Sequence, residues 1–278
     1  MTPRARRTTG RVLLNLAALV VIVCSVFPVY WMVNTALLPG SAASSATPHL
    51  WPDQFTLRNF QTAFDDFLPA LGVSVAVTVI TVVTAIVFAF VASIAVSRYR
   101  FRSRKAFIIS ILVIQMIPAE AMIVSTFRVL DGWNLLNTVI GLSAVYIAMV
   151  LPFTIWTLRG FVGGVPVDLE EAAMIDGCSR AQAFWRITFP LLAPGLVSTS
   201  IFAFIQAWNE FVFALVIMTR PESETLPIWL RSFVQATKAT DWAVVMAGST
   251  LMAIPVIVFF LILQGRMAGG VVSGAVKG

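Results

Sequence analysis

Six long apolar runs, separated by polar segments, set the pattern of this chain. Each is at least as long as the roughly 20 residues that a helix needs to cross a bilayer. Lipid offers the backbone no hydrogen-bond partner, so even the β-branched second run is predicted to be helical. The predicted spans cover residues 12–34, 70–96, 106–127, 136–158, 194–218 and 242–264.

Composition supports a membrane protein. Hydrophobic residues make up 59% of the 278 positions and charged residues only 12%, and the mean hydropathy is +0.90. A soluble domain carries about 25% charged residues. The expected organisation is a basic head (1–11), an all-α domain of six transmembrane helices (12–264) and a tail (265–278).

The first apolar run has a rival interpretation as a secretory signal. Four arginines precede it, and the small residues Ser41, Ala42 and Ala43 resemble a cleavage site. The run is longer than the apolar part of a signal peptide, however. We expect an uncleaved first span.

The distribution of positive charge predicts the orientation. Of the 19 Lys and Arg residues, 14 lie in the head, the 98–105 cluster, the segment 159–193 and the tail, whereas 5 lie on the opposite side. The positive-inside rule therefore places both termini in the cytoplasm. A basic cluster directly after a span is a membrane anchor, so no nucleic-acid partner is expected. The external loops are expected at about 38–69, 128–135 and 219–241.

The cytoplasmic segment 159–193 carries the signals of two short helices that meet at a glycine. Asp168 has an acid three residues later, the spacing of an N-cap pair. Gly177 fits the left-handed position after a helix end. Ser179, with a glutamine three residues later, predicts a second helix, which Pro190 is expected to stop.

The first of these helices is expected to present a small outward face of Ala172 and Ala173. An amphipathic loop lying on the lipid surface is the alternative. Acidic side chains would repel anionic lipid, so a protein partner is the better interpretation. The acids that flank the face are Glu170, Glu171 and Asp176.

This segment resembles the EAA signature of permease subunits in ATP-driven importers, in the form found in MalG-type sugar permeases. Cys178 stands where alanine is usual. The positions that carry the resemblance are the run from Glu171 to Gly177 followed by Phe184, Ile187, Pro190 and Pro194.

The resemblance implies the type I importer permease fold in a prokaryotic plasma membrane. It also implies the partners: a second permease subunit, two cytoplasmic ATPase subunits and an external solute-binding protein. The first short helix would dock into an ATPase subunit. The implied coupling residues are Glu170, Glu171, Ala172, Ala173, Asp176 and Gly177.

Enzyme chemistry has little support in the sequence. There is no phosphate-cradling GxxxxGK[ST] motif and no HExxH, and His49 is the single histidine. The chain is expected to be a non-catalytic subunit without a metal or cofactor of its own, with ATP and Mg²⁺ bound by the partner ATPases.

The fifth predicted span carries the best candidates for a substrate path. Gln206, Asn209 and Glu210 share one helical face, and Trp208 adds an aromatic ring. Ionisable groups within spans usually face a cavity. The alternatives are helix–helix contacts, or a bend stabilised by Glu210. Glu120, in the third span, is the second candidate, unless it reaches the outer surface.

By position in the family, the outer segment 219–241 would meet the solute-binding protein, although it can equally be an exposed loop. In MalG-like subunits a tail similar to 265–278 reaches between the ATPase subunits, whereas a frayed terminus is the default. The implied binding-protein contacts are Glu222, Glu224, Arg231 and Lys238.

The polar face of the fifth span fits a sugar or oligosaccharide. Glycerol phosphodiesters, glycerol phosphate and polyols are carried by similar permeases and remain open. A secondary transporter would explain six spans and the intramembrane acids Glu120 and Glu210, but not the cytoplasmic signature. A membrane scaffold would explain the signature but not the polar face of the fifth span.

Overall fold

The structure is a computed structural model that describes residues 3–234 and 240–274, with side chains described for residues 11, 13–234 and 240–265. No strand occurs in the part of the chain described. The helices, in order, are α1 (Pro3–Ala36), α2 (Gly40–Ala43), α3 (Arg58–Phe64), α4 (Phe67–Arg98), α5 (Arg104–Gln115), α6 (Ile123–Gly132), α7 (Val139–Gly164), α8 (Asp168–Ile175), α9 (Arg180–Ala183), α10 (Phe189–Asn209), α11 (Val212–Ile217), α12 (Leu226–Ser232) and α13 (Trp242–Gly274).

Five of these helical stretches are long and apolar enough to cross a membrane by length and composition, and a sixth span results if one bent pair is counted as one. This confirms an all-α membrane fold. The predicted first, second, fourth and sixth spans correspond to α1, α4, α7 and α13.

The predicted third span, 106–127, is not one straight helix. α5 ends at Gln115, and a bend of 90° separates it from the stretch Ala119–Gly132. Pro118 immediately precedes the 3₁₀ turn Ala119–Met122 that begins this second stretch. Proline has no N–H to continue the ladder and disfavours helical geometry in the preceding residue, so the helix stops before it.

The predicted fifth span, 194–218, is also wrong at both ends. The helical stretch runs from Arg180 to Asn209, and Pro190 does not stop it. A π-helical turn, Phe184–Thr188, ends two residues before this proline. The wider turn makes room for the ring where an N–H is missing. At the other end Glu210 is extended, with φ −68° and ψ 128°.

The chain forms two compact units, and the first contains residues 1–67 and 230–256. Its loop after α1 is fastened by the buried amide of Asn59, which donates to the carbonyls of Ala36 and Leu38 at 2.8 Å each. The short helix α3 lies within the segment 38–69.

The second unit contains residues 68–229 and 257–278. Its largest core cluster joins α4, α7 and α11 around Leu142, Tyr146 and Ile217. α7 and α10 approach closely at Gly195, where an added Cβ would lie 2.4 Å from the ring of Phe161. Both candidate sites described below lie within this unit.

Candidate functional site: a docking corner and an intramembrane cavity

The end of α8 forms a corner made of main-chain hydrogen bonds. Gly177 has φ +90°, and its N–H donates to the carbonyl of Met174 at 3.1 Å, while the N–H of Cys178 donates to that of Ala173 at 3.0 Å. This pair of bonds is the Schellman motif. The prediction of a left-handed glycine corner is confirmed.

The second short helix begins as expected and the first does not. The hydroxyl of Ser179 accepts from the N–H of Gln182, and the Gln182 side chain accepts from the N–H of Ser179, which completes a capping box. Asp168 is not an N-cap, because Val167 precedes α8 and no side chain caps it. Asp168 instead joins two glutamates in the first turn, where acids complement the helix dipole.

Two residues expected on the docking surface lie beneath it. Ala173 is buried at 5% exposure. The Glu170 carboxylate lies 3.2 Å from the guanidinium of Arg98 and accepts a 2.8 Å hydrogen bond from the hydroxyl of Thr188. Ala172 is exposed as predicted, but Ala173 is not part of the outward face. Glu170 fastens α8 to the end of α4 and to the turn before α10.

The surface that α8 does expose combines acids with apolar side chains. Glu171, Ala172 and Asp176 are exposed, and Ile175 is 86% exposed. Met174 is exposed as well. Sequence reasoning noticed the small and acidic residues but missed Ile175, although a β-branched apolar residue beside an acid at a helix end was a visible signal.

A cavity of about 720 Å³ lies between the bend after α5, α7 and the break after α10. Phe153 and Phe202 form an aromatic wall, with ring centroids 4.0 Å apart. Three of the four predicted substrate-path residues of the fifth span line the cavity, and so does Glu120. The polar side chains on its surface are Gln115, Glu120, Tyr146, Gln206, Asn209 and Glu210.

Glu210 caps the helix that follows the break. Its carboxylate accepts hydrogen bonds from the N–H groups of Phe213 at 2.7 Å and Ala214 at 3.0 Å. It also accepts a 2.6 Å bond from the hydroxyl of Tyr146 on α7. The carboxylate therefore satisfies the first turn of α11, whose donors have no helical partner. Of the alternatives left open, the structure favours a bend stabilised by Glu210.

The other predicted residues of this region differ in their exposure and in their hydrogen bonds. Gln206 and Asn209 are exposed, although Asn209 donates one amide hydrogen to the carbonyl of Ile205 at 2.9 Å. Trp208 does not line the cavity: it is 2% exposed and stacks on Phe204 at 5.4 Å. Trp208 is therefore not exposed to the cavity as the prediction required. The aromatic residues that line the cavity are Tyr146, Phe153, Phe202 and Phe211.

Sequence reasoning missed Tyr146 and the aromatic wall. Gln115 lies in the third apolar run, but its place in the cavity follows from the bend beside it. A tyrosine in the middle of the fourth apolar run was the available signal for Tyr146, because a buried hydroxyl needs a partner.

The outer segment is held by Asn137, a left-handed residue with φ 57° in the turn before α7. Its side-chain oxygen accepts from the N–H groups of Thr219 and Arg220 at 2.6 and 3.0 Å. Ser223 donates to the same oxygen at 3.2 Å. The start of the outer segment is therefore ordered by one amide.

Of the predicted binding-protein contacts, Glu222 and Arg231 are exposed and Glu224 is half-buried. Lys238 lies outside the described residues, and so do the side chains of residues 1–10, 12 and 266–278. No group of three or more His, Cys, Asp or Glu side chains that could hold a metal ion occurs among the residues that the structure describes.

Residues 85–271 match the family model described as binding-protein-dependent transport system inner membrane component. The chain is 46% identical to the diacetylchitobiose uptake system permease protein DasC of Streptomyces coelicolor, over 98% of this chain and 99% of that one. It is 35% identical to the trehalose transport system permease protein SugB of Mycobacterium tuberculosis, over 99% of each chain.

Solved structures share the fold. A chain of a bacterial ABC transporter involved in the import of the acidic polysaccharide alginate superposes with a TM-score of 0.78 at 22% identity, over 95% of this chain and 98% of that one. A second structure shows a bacterial alginate ABC transporter in complex with an alginate pentasaccharide-bound periplasmic protein. It matches with a TM-score of 0.66 at 14% identity, over 92% and 94% of the two chains.

Proposed function

Because this chain belongs to the family of binding-protein-dependent transport system inner membrane components, we propose that it forms half of the pore of an ATP-driven importer for a sugar or oligosaccharide. The protein is a multi-pass permease subunit of the plasma membrane. The other half of the pore would be a second, different permease chain. Energy would come from two cytoplasmic ATPase subunits, which bind ATP and Mg²⁺, because the sequence has no nucleotide motif of its own.

One observation carries the proposal: a single helical stretch connects the docking corner with the cavity. The stretch Arg180–Asn209 has 30 residues, which corresponds to about 45 Å at the rise of an α-helix. It begins directly after the corner at Gly177 and ends beside Glu210. A displacement of the corner therefore reaches the cavity through continuous backbone.

The surface available to an ATPase subunit is the exposed side of α8. Glu171, Ala172, Ile175 and Asp176 would make the contact, because a small, partly apolar surface with acids at its edge suits a groove in a protein. Glu170 would act from beneath. Its ion pair with Arg98 and its hydrogen bond from Thr188 tie α8 to α4 and to the turn before α10, so the docked helix would move those two spans with it.

The cargo class follows from the relatives and from the cavity. Relatives are named as permeases for diacetylchitobiose and trehalose. Exposed amides at Gln206 and Asn209, beside the rings of Phe153 and Phe202, provide hydrogen-bonding groups and apolar faces of the kind that sugars need. An external solute-binding protein would deliver the sugar to the outer segment, where Glu222, Glu224, Arg231 and Lys238 are the proposed contacts.

Reconstitution tests this function. The chain is purified with its co-expressed partner chains, placed in proteoliposomes, and supplied with the co-purified binding protein and a panel of labelled sugars, polyols and glycerol phosphates. We expect uptake of a sugar only with ATP on the ATPase side and with the binding protein present. Uptake driven by an ion gradient without ATP would identify a secondary transporter instead. Uptake of a polyol or glycerol phosphate in preference to all sugars would reject the cargo class.

A further inference from the structure

A second, smaller cleft lies near the C-terminal ends of α4 and α7 and the N-terminal end of α5. It has a volume of about 360 Å³, and its surface contains two arginines and no acid. None of the transport steps proposed above uses it. The residues that line it are Ser97, Arg104, Trp156, Arg159, Gly160 and Gly163.

The positive charge of this cleft is not neutralised within the described part of the chain. Arg98, which directly follows Ser97, is paired with Glu170. Neither Arg104 nor Arg159 lies within 4 Å of an acid among the described side chains. Both are half-buried. Arg104 is also the first residue of α5, so the positive end of that helix dipole adds to the field.

Contacts between neighbouring residues hold the side chains of the cleft in place. The guanidinium of Arg159 lies over the ring of Trp156, 5.1 Å from its centroid, which holds it in place. The hydroxyl of Ser97 donates to the carbonyl of Arg159 at 3.3 Å and joins α4 to α7 at this level. Tryptophan and arginine together are typical of the headgroup level of a membrane.

An apolar groove of about 550 Å³ adjoins the cleft, and the two share Gly160. Phe161 and Leu191 are exposed in it. The space beside Gly160 and Gly164 is open, since an added Cβ at either position would meet no heavy atom within 4 Å. A cationic cleft that continues into an apolar groove has the polarity of a phospholipid, with a place for the phosphate and a place for an acyl chain.

We propose that the Arg104–Arg159 cleft binds the phosphate of an anionic phospholipid, whose acyl chain lies in the groove along α7. Basic pockets between spanning helices are suited to such headgroups. Each guanidinium can give the phosphate a charge-assisted hydrogen bond. The bound lipid would join α4, α5 and α7 beside the base of α8.

Lipid retention tests this site without any transport assay. The full chain is placed in phosphatidylcholine nanodiscs containing a small fraction of phosphatidylglycerol, at high salt, and retained lipid is counted by native mass spectrometry. We expect one phosphatidylglycerol to be retained, and the double substitution R104Q/R159Q to weaken retention about 100-fold, because two charge-assisted bonds are lost. R104K/R159K keeps the charge and is expected to retain part of the binding.

The matched control is R100Q/R102Q, which removes the same charge from exposed positions next to the cleft. At high salt its effect should be about twofold or less, since long-range attraction is screened. Equal losses in the two double variants, with native size-exclusion and circular-dichroism profiles, would overturn the site. Displacement of phosphatidylglycerol from the wild type by glycerol 3-phosphate or inorganic phosphate would show a site for a soluble phosphate and reject the lipid. Unchanged retention in R104Q/R159Q would reject both.

Discussion

Glu210→Ala separates the capping role of this carboxylate from a role in contacting the sugar. The substitution removes the carboxylate acceptor of three donors, the N–H groups of Phe213 and Ala214 and the hydroxyl of Tyr146. Only the Tyr146 hydroxyl keeps another acceptor, the main-chain carbonyl of residue 210 at 3.5 Å. Hydrogen bonds to a charged acceptor contribute roughly 1.5–3 kcal/mol each and are not additive within one network. We therefore expect a loss of about 4 kcal/mol in the free energy of unfolding.

A thermal melt in nanodiscs, followed by intrinsic fluorescence, measures this loss. For a chain of this size, about 4 kcal/mol corresponds to a fall in Tm of about 10 °C. Glu210→Gln is expected to lose about half as much, because its amide oxygen can still accept from Phe213 while its NH₂ donates to the oxygen of Tyr146.

Asn209→Ala is the matched control, since Asn209 lines the same cavity but makes its hydrogen bond within its own helix. We expect it to lower sugar uptake while leaving Tm unchanged. If Glu210→Ala abolishes uptake without lowering Tm, the carboxylate acts on the sugar and the capping argument is refuted. If Asn209→Ala lowers Tm as much as Glu210→Ala does, the two residues are both structural.

Three further substitutions test other parts of the structure. Gly177→Val places a β-branched residue at φ +90°, which costs about 1–2 kcal/mol, and it should weaken ATPase pull-down without affecting membrane insertion. Gly72→Val is the control, because Gly72 has open space and no positive φ, and it should leave ATPase pull-down unchanged. Asn137→Gly keeps the left-handed backbone but removes the acceptor, so amide hydrogen exchange should accelerate after α11; unchanged exchange contradicts the clasp. Arg98→Gln or Glu170→Gln alone should cost up to about 3 kcal/mol in a thermal melt, and the double substitution less than the two together; strict additivity would show that the pair is not coupled.

The parts of the fold that sequence predicts well are those determined by neighbours in the chain. The capping box at Ser179 and the glycine corner at Gly177 depend on residues at most four positions away, and both are present as expected. Four of the six spans follow from continuous apolar runs. Each of these features is determined by the local sequence.

The features that sequence misses depend on residues far apart in the chain. The helix break at Glu210 lies within an apolar run and is stabilised by Tyr146, 64 positions away. In the sequence Glu170 is predicted to be a surface acid, whereas in the fold it contacts Arg98 and Thr188. Trp208 sits one residue from the exposed Asn209, but the packing of Phe204 turns it into the core. Tertiary contacts decide these cases.

In the proposed docking element, the direction of α8 and the surface that α8 presents depend on different atoms. Main-chain atoms of Met174, Ala173 and Cys178 fix the angle, whereas the exposed side chains of Glu171, Ala172 and Ile175 offer the surface. If α8 docks into an ATPase subunit as proposed, a substitution on that surface would change which groove the helix fits without changing the direction in which it points. One permease architecture would then be redirected to a different ATPase subunit by changing surface residues alone.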